Sequence, residues 1–251
     1  MVPVQWRVIP LETHTAAMNM ALDEAISEAV AAGKAPPTIR FYRWQPSAVS
    51  IGYFQGLQEE VAMDVCEKLG VDVVRRRTGG GAVYHDFAGE ITYSVIAAEG
   101  MFPKGIIESY HVICGWVIVS LKNIGLDAQF HPINDILVGG KKISGNAQTR
   151  RGGVLLQHGT VLYNVDVDKM FSLLKVGREK IADKLIADVK QRVTRVLDHT
   201  SLPFEEVYRA MLDGFTRDKQ HEIGQLNADE LIRAQELAAL RYGTVEWNGR
   251  R

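Results

Sequence analysis

The amino-acid sequence predicts an α+β fold in which helices pack on one mixed β-sheet. Strand-like segments dominate the middle of the chain and do not alternate strictly with helices, whereas a doubly wound parallel fold requires that alternation. Helical apolar patterns occupy both ends of the chain. Neither an internal repeat nor a convincing linker divides the 251 residues. We therefore expect a single domain over residues 1–251, with room for a small helical appendage after about residue 166.

Composition and charge exclude several classes of protein. Hydrophobic residues make up 46% of the chain and charged residues 24%, as in ordinary globular proteins. A formal net charge of −1 gives no field that would hold nucleic acid or an anionic membrane. The longest apolar run, around Val112 to Leu121, is too short to span a bilayer, and the N-terminus lacks a signal-peptide pattern. We expect a cytoplasmic protein without nucleic-acid or membrane partners.

In the first part of the chain, apolar spacing and turn residues define the elements. A helix pattern around residues 22–30 ends before Gly33 and the pair Pro36 and Pro37. Pro46 and Ser47 separate two strand candidates, and β-branched residues indicate another strand after Gly70. The predicted elements are strands at 6–11, 38–42, 49–54, 71–74 and 91–97, and helices at 22–30 and 59–69.

The second part begins with the longest predicted helix, residues 106–124, which ends at Gly125. Three strands follow at 135–138, 141–144 and 154–165, and the remainder is predicted to be helical. A weaker helical stripe runs over residues 231–240. The stronger C-terminal stripe consists of Phe204, Val207, Tyr208, Met211 and Phe215.

A glycine-rich segment from Arg75 to Asp86 directly follows a predicted strand. Its three glycines let the backbone turn sharply and expose N–H groups to an anion, while its arginines offer planar donors to phosphate or carboxylate. The alternative is a tight turn with a solvated basic patch. Neither standard nucleotide signature is present. The combination favours an anion site of another design.

A hairpin is predicted over Asp135 to Gly145, because Gly139 and Gly140 separate two strand candidates. The register places Leu137 opposite Lys142 and Asp135 opposite Ser144, so these four side chains share one face. The other face is the predicted core side and carries Ile136, Val138 and Ile143.

This hairpin allows two interpretations of the role of Lys142. A surface lysine paired with Asp135 would contribute little to stability. A lysine fixed between strands could instead hold a phosphate and an acyl carbonyl oxygen and stabilise charge as it develops. Sequence spacing leaves both readings open.

Taken together, these two motifs and the segment Gln157 to Thr160 resemble the lipoate-protein ligase A family, which is related to biotin ligases and octanoyltransferases. The resemblance extends from about the first helix to Asp166 and continues more loosely to Asn248. It implies a catalytic domain built on a mixed sheet, in agreement with the fold read from the sequence pattern.

The resemblance implies a site and a reaction. Lys142 matches the catalytic lysine that contacts the lipoyl carbonyl and the adenylate phosphate. Lipoate and ATP, with Mg²⁺, would form lipoyl-adenylate, and a carrier lysine would then displace AMP. The residues expected to bind the nucleotide or the lipoyl-adenylate are Arg76, Gly79, Gly80, Gly81, Ala82, Val83, Tyr84, His85, Asp135, Lys142, Ser144 and Gly145.

The implied partners are lipoyl-domain carriers, either E2 subunits of 2-oxoacid dehydrogenases or the H protein of glycine cleavage. On the same resemblance, we expect the chain to end before the C-terminal accessory domain that full-length ligases carry. On the resemblance, we expect the catalytic subunit of a lipoate-protein ligase that activates free lipoate with a separately encoded small subunit. The sequence leaves open whether lipoate or octanoate is preferred.

Two alternative functions remain. An octanoyltransferase would use octanoyl-acyl carrier protein, and its relatives place a nucleophilic cysteine just before the lysine hairpin, where this chain has none. A non-catalytic subunit would bind the adenylate or the carrier. The two cysteines, Cys66 and Cys114, are expected to be buried small hydrophobes. His158 is read as a core histidine in preference to a polar group of the pocket.

Overall fold

The computed structural model describes residues 4–175 and 191–251. The strands are β1 Trp6–His14, β2 Thr38–Trp44, β3 Ala48–Ile51, β4 Asp72–Arg75, β5 Val83–His85, β6 Glu90–Ala98, β7 Ala128–His131, β8 Asp135–Val138, β9 Lys141–Arg151, β10 Val154–Leu162 and β11 His221–Ile223. The α-helices are α1 Ala16–Ala31, α2 Leu57–Glu60, α3 Met63–Lys68, α4 Ile106–Asn123, α5 Val167–Leu173, α6 Phe204–Thr216, α7 Ala228–Leu237 and α8 Val245–Asn248. Short 3₁₀ turns lie at Glu99–Met101 and Val196–Asp198, and a π-helical turn lies at Ala238–Tyr242.

The main sheet has eight strands in the order β11-β1-β2-β6-β10-β9-β8-β7. It is mixed, because β1 runs parallel to both β2 and β11 while the other neighbouring pairs are antiparallel. A second sheet of three strands has the order β4-β3-β5. The predicted α+β class with a mixed sheet and packed helices is therefore confirmed.

Helices cover both faces of the main sheet. Two neighbouring residues of β2, whose side chains point to opposite faces, pack against different pairs of helices. Phe41 packs in the apolar cluster that α4 and α6 share, whereas its neighbour Tyr42 packs in the cluster of α1 and α7. Successive side chains of a strand point to opposite faces. None of the described helices has both the length and the apolar composition needed to cross a membrane.

Several elements differ from the sequence prediction. The strands β5, β7 and β11 were not predicted, since each has only three or four residues and β5 lies inside the glycine-rich segment. The helix expected at 59–69 is two helices, because Val61 leaves the helical conformation and forms a bridge with Leu174. The remainder of the chain is not wholly helical, since it contains β11. Residues 176–190 of that prediction lie outside the described residues, and the single-domain organisation stays a prediction.

The hairpin of β8 and β9 corrects one predicted pairing. Leu137 opposes Lys142 as expected, but Asp135 opposes Gly145 and not Ser144. The register shifts between Ile136 and Leu137, so one extra residue on β9 places Ser144 opposite Ile136. Ser144 is consequently buried and does not share a face with Lys142. The predicted core side is confirmed by the burial of Ile136, Val138 and Ile143.

Candidate active site

Strands of both sheets and the glycine-rich segment line one pocket. Its apolar and aromatic lining consists of Met20, Tyr42, Trp44, Ala82, Val83 and Ala147. Its polar side chains are Ser50, Arg76, His85, Thr92, Asn134, Lys142, Asn146, His158 and Thr160, and its glycines are Gly80, Gly81, Gly145 and Gly159. A pocket with an apolar wall and a few convergent polar groups is the usual form of a small-molecule site.

Most of the site residues predicted from sequence line this pocket: Arg76, Gly80, Gly81, Ala82, Val83, His85, Lys142 and Gly145. Gly79 contributes its carbonyl to Arg76, and Asp135 pairs with Lys142. Tyr84 points into a separate apolar cluster and Ser144 is buried beside the pocket. The role of these residues in ligand binding stays a prediction.

Arg76 is a buried cation among the polar side chains that line the pocket. Its Nη2 donates to the carbonyls of Gly79 and Gly81 at 2.7 and 2.8 Å, and its Nη1 donates to the Ser50 hydroxyl at 3.1 Å. Burial lowers the pKa of Arg76 to about 10. Within residues 4–175 and 191–251, no carboxylate forms an ion pair with it. An unbalanced buried cation makes the pocket a place for an anion or a developing negative charge.

The glycines set the path of the loop that Arg76 holds. Gly80 has a φ of +91°, a conformation that favours glycine. Gly52, after β3, approaches the same loop so closely that a Cβ there would lie 2.0 Å from the carbonyl oxygen of Gly80. Both glycines are therefore needed for this loop conformation.

Lys142 lies at the pocket wall, and its ammonium is 2.7 Å from Asp135. Gly145 makes room for it, since a Cβ at that position would be 2.8 Å from Cε of Lys142. The ion pair is partly exposed, so it contributes little to folding. The contact of the Lys142 ammonium with an acyl carbonyl oxygen stays a prediction.

Two chains of hydroxyl, imidazole and carboxylate groups end at Arg76. In the first, Ser50 Oγ lies 2.8 Å from Nε2 of His85, whose Nδ1 lies 2.6 Å from Glu90. In the second, Thr78 Oγ1 lies 2.7 Å from Nε2 of His158, whose Nδ1 lies 3.2 Å from Asp23. Arg76 donates to both hydroxyls. His158 is thus a buried histidine and a pocket residue at once.

Ser50 and Asn146 were not predicted from the sequence, and Gly159 was noted only as part of a family motif and not as a site residue. Ser50 is the one polar residue of an otherwise apolar strand, a signal that could have identified it. Asn146 accepts from the Tyr93 hydroxyl at 2.6 Å and donates to the Asn134 carbonyl at 2.8 Å. A Cβ at Gly159 would lie 2.0 Å from Asn146 Oδ1, so this glycine admits the asparagine side chain.

The buried pair of His158 and Asp23 predicts a pH-dependent stability. Burial lowers the pKa of His158 below 6.5, and the Asp23 carboxylate offsets this only in part. Because the unfolded chain takes up a proton near pH 6.5 while the folded chain does not, this stability is present above 6.5 and is lost as the pH falls through the folded pKa. The unfolding free energy of the wild type should fall as the pH is lowered from about 7 to about 5. We expect a smaller fall in His158→Gln, which lacks the titrating imidazole.

Urea unfolding of both proteins across that range tests this prediction. In the wild-type protein, the pKa of Asp23 is held below its usual value of 3.8 and outside this range: burial raises it, but the His158 hydrogen bond and the Arg40 charge together lower it further. An unchanged slope in His158→Gln would contradict the assignment.

The comparisons with known proteins place this chain in a family. The model of the lipoyl protein ligase A/B catalytic domain matches residues 15–216, and the chain belongs to this family of lipoate ligases and octanoyltransferases. The expected family is therefore confirmed, and the chain is an enzyme of that family.

Similar proteins carry two different names within the family. The octanoyltransferase LipM of Brevibacillus brevis is 38% identical over 276 residues, covering 98% of this chain and 99% of its own. A bipartite lipoate protein ligase of Thermoplasma acidophilum, solved in a study of that ligase and its E2 lipoyl domain, superposes with a TM-score of 0.88 at 33% identity and covers 98% of this chain and 96% of its own. A lipoate-protein ligase A bound with ATP has a TM-score of 0.85 at 32% identity and covers 98% of each chain.

The prediction of a lipoate-protein ligase subunit is wrong. Curated relatives that match nearly the full length at 34% to 38% identity are named octanoyltransferases, which is the alternative that the sequence analysis ranked second. That ranking depended on the lack of a cysteine before the lysine hairpin. The names of these nearly full-length relatives outweigh that argument.

Proposed function

We propose that this enzyme transfers an octanoyl group from octanoyl-acyl carrier protein to a lysine of a lipoyl-domain protein. The relatives named octanoyltransferase support the reaction class. The observation that carries the proposal is the pocket, whose lining combines apolar and aromatic side chains with two cationic ones, Arg76 and Lys142. An octanoyl chain can pack against the apolar side chains, and the oxygen of a reacting carbonyl can contact the cations.

Lys142 is the residue that we assign to the acyl carbonyl oxygen. When a nucleophile attacks a thioester, the carbonyl oxygen gains negative charge, which a fixed cation stabilises more in the transition state than in the ground state. Asp135 positions the ammonium at 2.7 Å, and Gly145 lets the side chain lie across the strand. Arg76 supplies a second positive charge in the lining of the same pocket.

The donor decides which co-substrates are needed. Transfer from a thioester to an amine is downhill, so an octanoyl thioester needs neither ATP with Mg²⁺ nor a separate subunit that activates free lipoate. Binding of ATP belongs to the solved ligase A relative, and the E2 lipoyl domain to the Thermoplasma system. For this enzyme, an E2 subunit or an H protein as acceptor stays a prediction, as does its cytoplasmic location.

The test is the mass of a purified lipoyl-domain acceptor after incubation with this enzyme and octanoyl-acyl carrier protein. We expect one octanoyl group on the acceptor, located on its lipoyl lysine. An acceptor with that lysine replaced by arginine should remain unmodified. No modification of the wild-type acceptor would contradict the proposed function.

The cysteines provide a further prediction. Burial raises the pKa of Cys66 to about 11 and that of Cys114 to about 12, so both thiols are protonated at neutral pH, and neither lines the pocket. We expect the double variant Cys66→Ala and Cys114→Ala to keep the transfer rate within about twofold of wild type. Loss of transfer by a protein whose circular dichroism is native would favour a thioester on the enzyme.

A further inference from the structure

The octanoyl thioester can be attacked either by the acceptor lysine itself or by a side chain of the enzyme that carries the acyl group in between. On the family resemblance, octanoyltransferases place a nucleophilic cysteine just before the lysine hairpin, and this chain has none there. Both cysteines of the chain are buried in apolar clusters. The pocket itself contains a hydroxyl that an imidazole and a carboxylate could activate, namely that of Ser50.

The geometry around His85 fits an activated serine. The distances are 2.8 Å from Ser50 Oγ to Nε2 of His85 and 2.6 Å from Nδ1 to Glu90 Oε1. If Glu90 accepts the Nδ1 proton, the Nε2 lone pair faces the serine hydroxyl and can take its proton. Trp44 stacks on His85 with ring centroids 3.9 Å apart, which fixes the plane of the imidazole.

The environment of Ser50 also stabilises the oxygen anion that proton transfer would create. Arg76 Nη1 lies 3.1 Å from Ser50 Oγ and has no carboxylate partner among the described residues. Ser50 is 2% exposed, and its exposed part faces the pocket. Only a group that enters the pocket can reach it, which limits attack by bulk water.

The second chain, from Thr78 to Asp23, lacks these properties and serves as an internal comparison. Thr78 is fully buried and does not line the pocket. Arg40 neutralises Asp23 at 3.0 Å, whereas no arginine or lysine within the described ranges forms an ion pair with Glu90. A carboxylate without a permanent cation stabilises an imidazolium better when it forms. The first chain is therefore the one suited to catalysis.

We propose that Ser50 is the nucleophile, that it carries the octanoyl group as an oxygen ester, and that His85 is its general base with Glu90 as the positioning residue. The proposal rests on the octanoyl transfer proposed above. It assigns chemistry to three residues that no sequence motif had connected.

The reaction is a pair of acyl exchanges. Ser50 Oγ attacks the thioester carbonyl carbon while its proton passes to Nε2 of His85. The C–S bond then breaks, and His85 gives the proton to the departing thiolate, which leaves the ester of Ser50. The neutral amine of the acceptor lysine next attacks that ester and gives a proton to His85. Breaking of the C–O bond returns the proton to Ser50 Oγ, so no oxidant, reductant or nucleotide is consumed.

The first experiment looks for the acyl-enzyme. Wild-type enzyme is incubated with octanoyl-acyl carrier protein without acceptor, digested and mapped by mass spectrometry. We expect one octanoyl group on the peptide that contains Ser50, resistant to neutral hydroxylamine because oxygen esters react with it far more slowly than thioesters. An octanoyl group on another residue, or none on Ser50, would overturn the proposal.

The second experiment uses variants. Ser50→Ala should lose both the acyl-enzyme and at least about 100-fold of the transfer rate, while Ser50→Cys should form a hydroxylamine-sensitive acyl-enzyme on the same peptide. Ser120→Ala is the matched control, because Ser120 on α4 is also 2% exposed but lies outside the pocket. Glu90→Gln should lower kcat with little change in KM and shift the pH profile of kcat.

The outcomes separate this proposal from the proposed function. A folded Ser50→Ala enzyme that transfers octanoyl at the wild-type rate would overturn the serine nucleophile and leave octanoyl transfer standing. A wild-type enzyme that never modifies the acceptor would remove the proposed function itself. If Ser50→Ala does not fold, the peptide map of the wild-type acyl-enzyme decides.

Discussion

Replacing Lys142 with alanine is expected to lower octanoyl transfer by roughly 100-fold to 1000-fold while leaving the fold intact. The side chain lies at the pocket wall on the face of β9 away from the core, and its ion pair with Asp135 is partly exposed. Losing it therefore costs little stability but removes the positive charge beside the acyl carbonyl oxygen. Steady-state rates of acceptor octanoylation and thermal unfolding of the same preparation check both parts.

The neighbouring lysine supplies the control for this prediction. Lys141 stands on the same strand, is exposed and lies outside the pocket, so Lys141→Ala should transfer at the wild-type rate. Equal rates for Lys142→Ala and wild type in folded protein would remove Lys142 from the catalytic role.

Replacing Gly52 with alanine is expected to destabilise the protein by about 2 kcal/mol or more and to abolish transfer. The new Cβ would lie 2.0 Å from the carbonyl oxygen of Gly80 and 3.1 Å from its carbonyl carbon, and backbone atoms cannot rotate away as a side chain can. The loop would have to move, which would withdraw the carbonyls of Gly79 and Gly81 from Arg76. Urea unfolding and the transfer assay measure the two effects.

Gly115→Ala is the matched comparison. This glycine lies within α4, and a Cβ there would have no neighbour within 4 Å. Alanine at that position should stabilise the protein by about 0.5–1 kcal/mol, because glycine loses more conformational freedom in a helix. Similar stabilities for Gly52→Ala and wild type would mean that the glycine-rich loop tolerates a different path.

The fold could be predicted largely because its signals are local. Helical apolar spacing identified α1, α4 and α6, and Gly139 and Gly140 predicted the turn between β8 and β9, where both adopt positive φ. The short strands could not be predicted in the same way. β5, for example, is a strand only because three residues after the glycines pair with β3, a contact between distant parts of the chain.

The candidate site shows the same division. Arg76 and Lys142 stand in compact motifs, so the family resemblance pointed to them, and the structure places both at the pocket. The members of the two hydroxyl, imidazole and carboxylate chains are far apart in sequence. Ser50 and His85 are separated by 35 residues, and Asp23 and His158 by 135. These residues are close only because strands pair within both sheets, and that pairing cannot be predicted from the spacing of residues along the chain.

The sequence motifs also could not decide between ligase and transferase activity. Both activities belong to one family and one scaffold, so the resemblance of the glycine-rich segment and the lysine hairpin could not select the acyl donor. The absent cysteine misled the sequence analysis because it was taken as the loss of a nucleophile. The structure offers the hydroxyl of Ser50 beside His85, whose other ring nitrogen contacts Glu90.

The central claim is that the acyl donor is an octanoyl thioester. The measurement that tests it most directly is the initial rate of acceptor octanoylation in two reactions, one with octanoyl-acyl carrier protein and no nucleotide, the other with free octanoate, ATP and Mg²⁺. We expect modification in the first reaction and none in the second. Modification only in the reaction with free octanoate, ATP and Mg²⁺ would contradict the account.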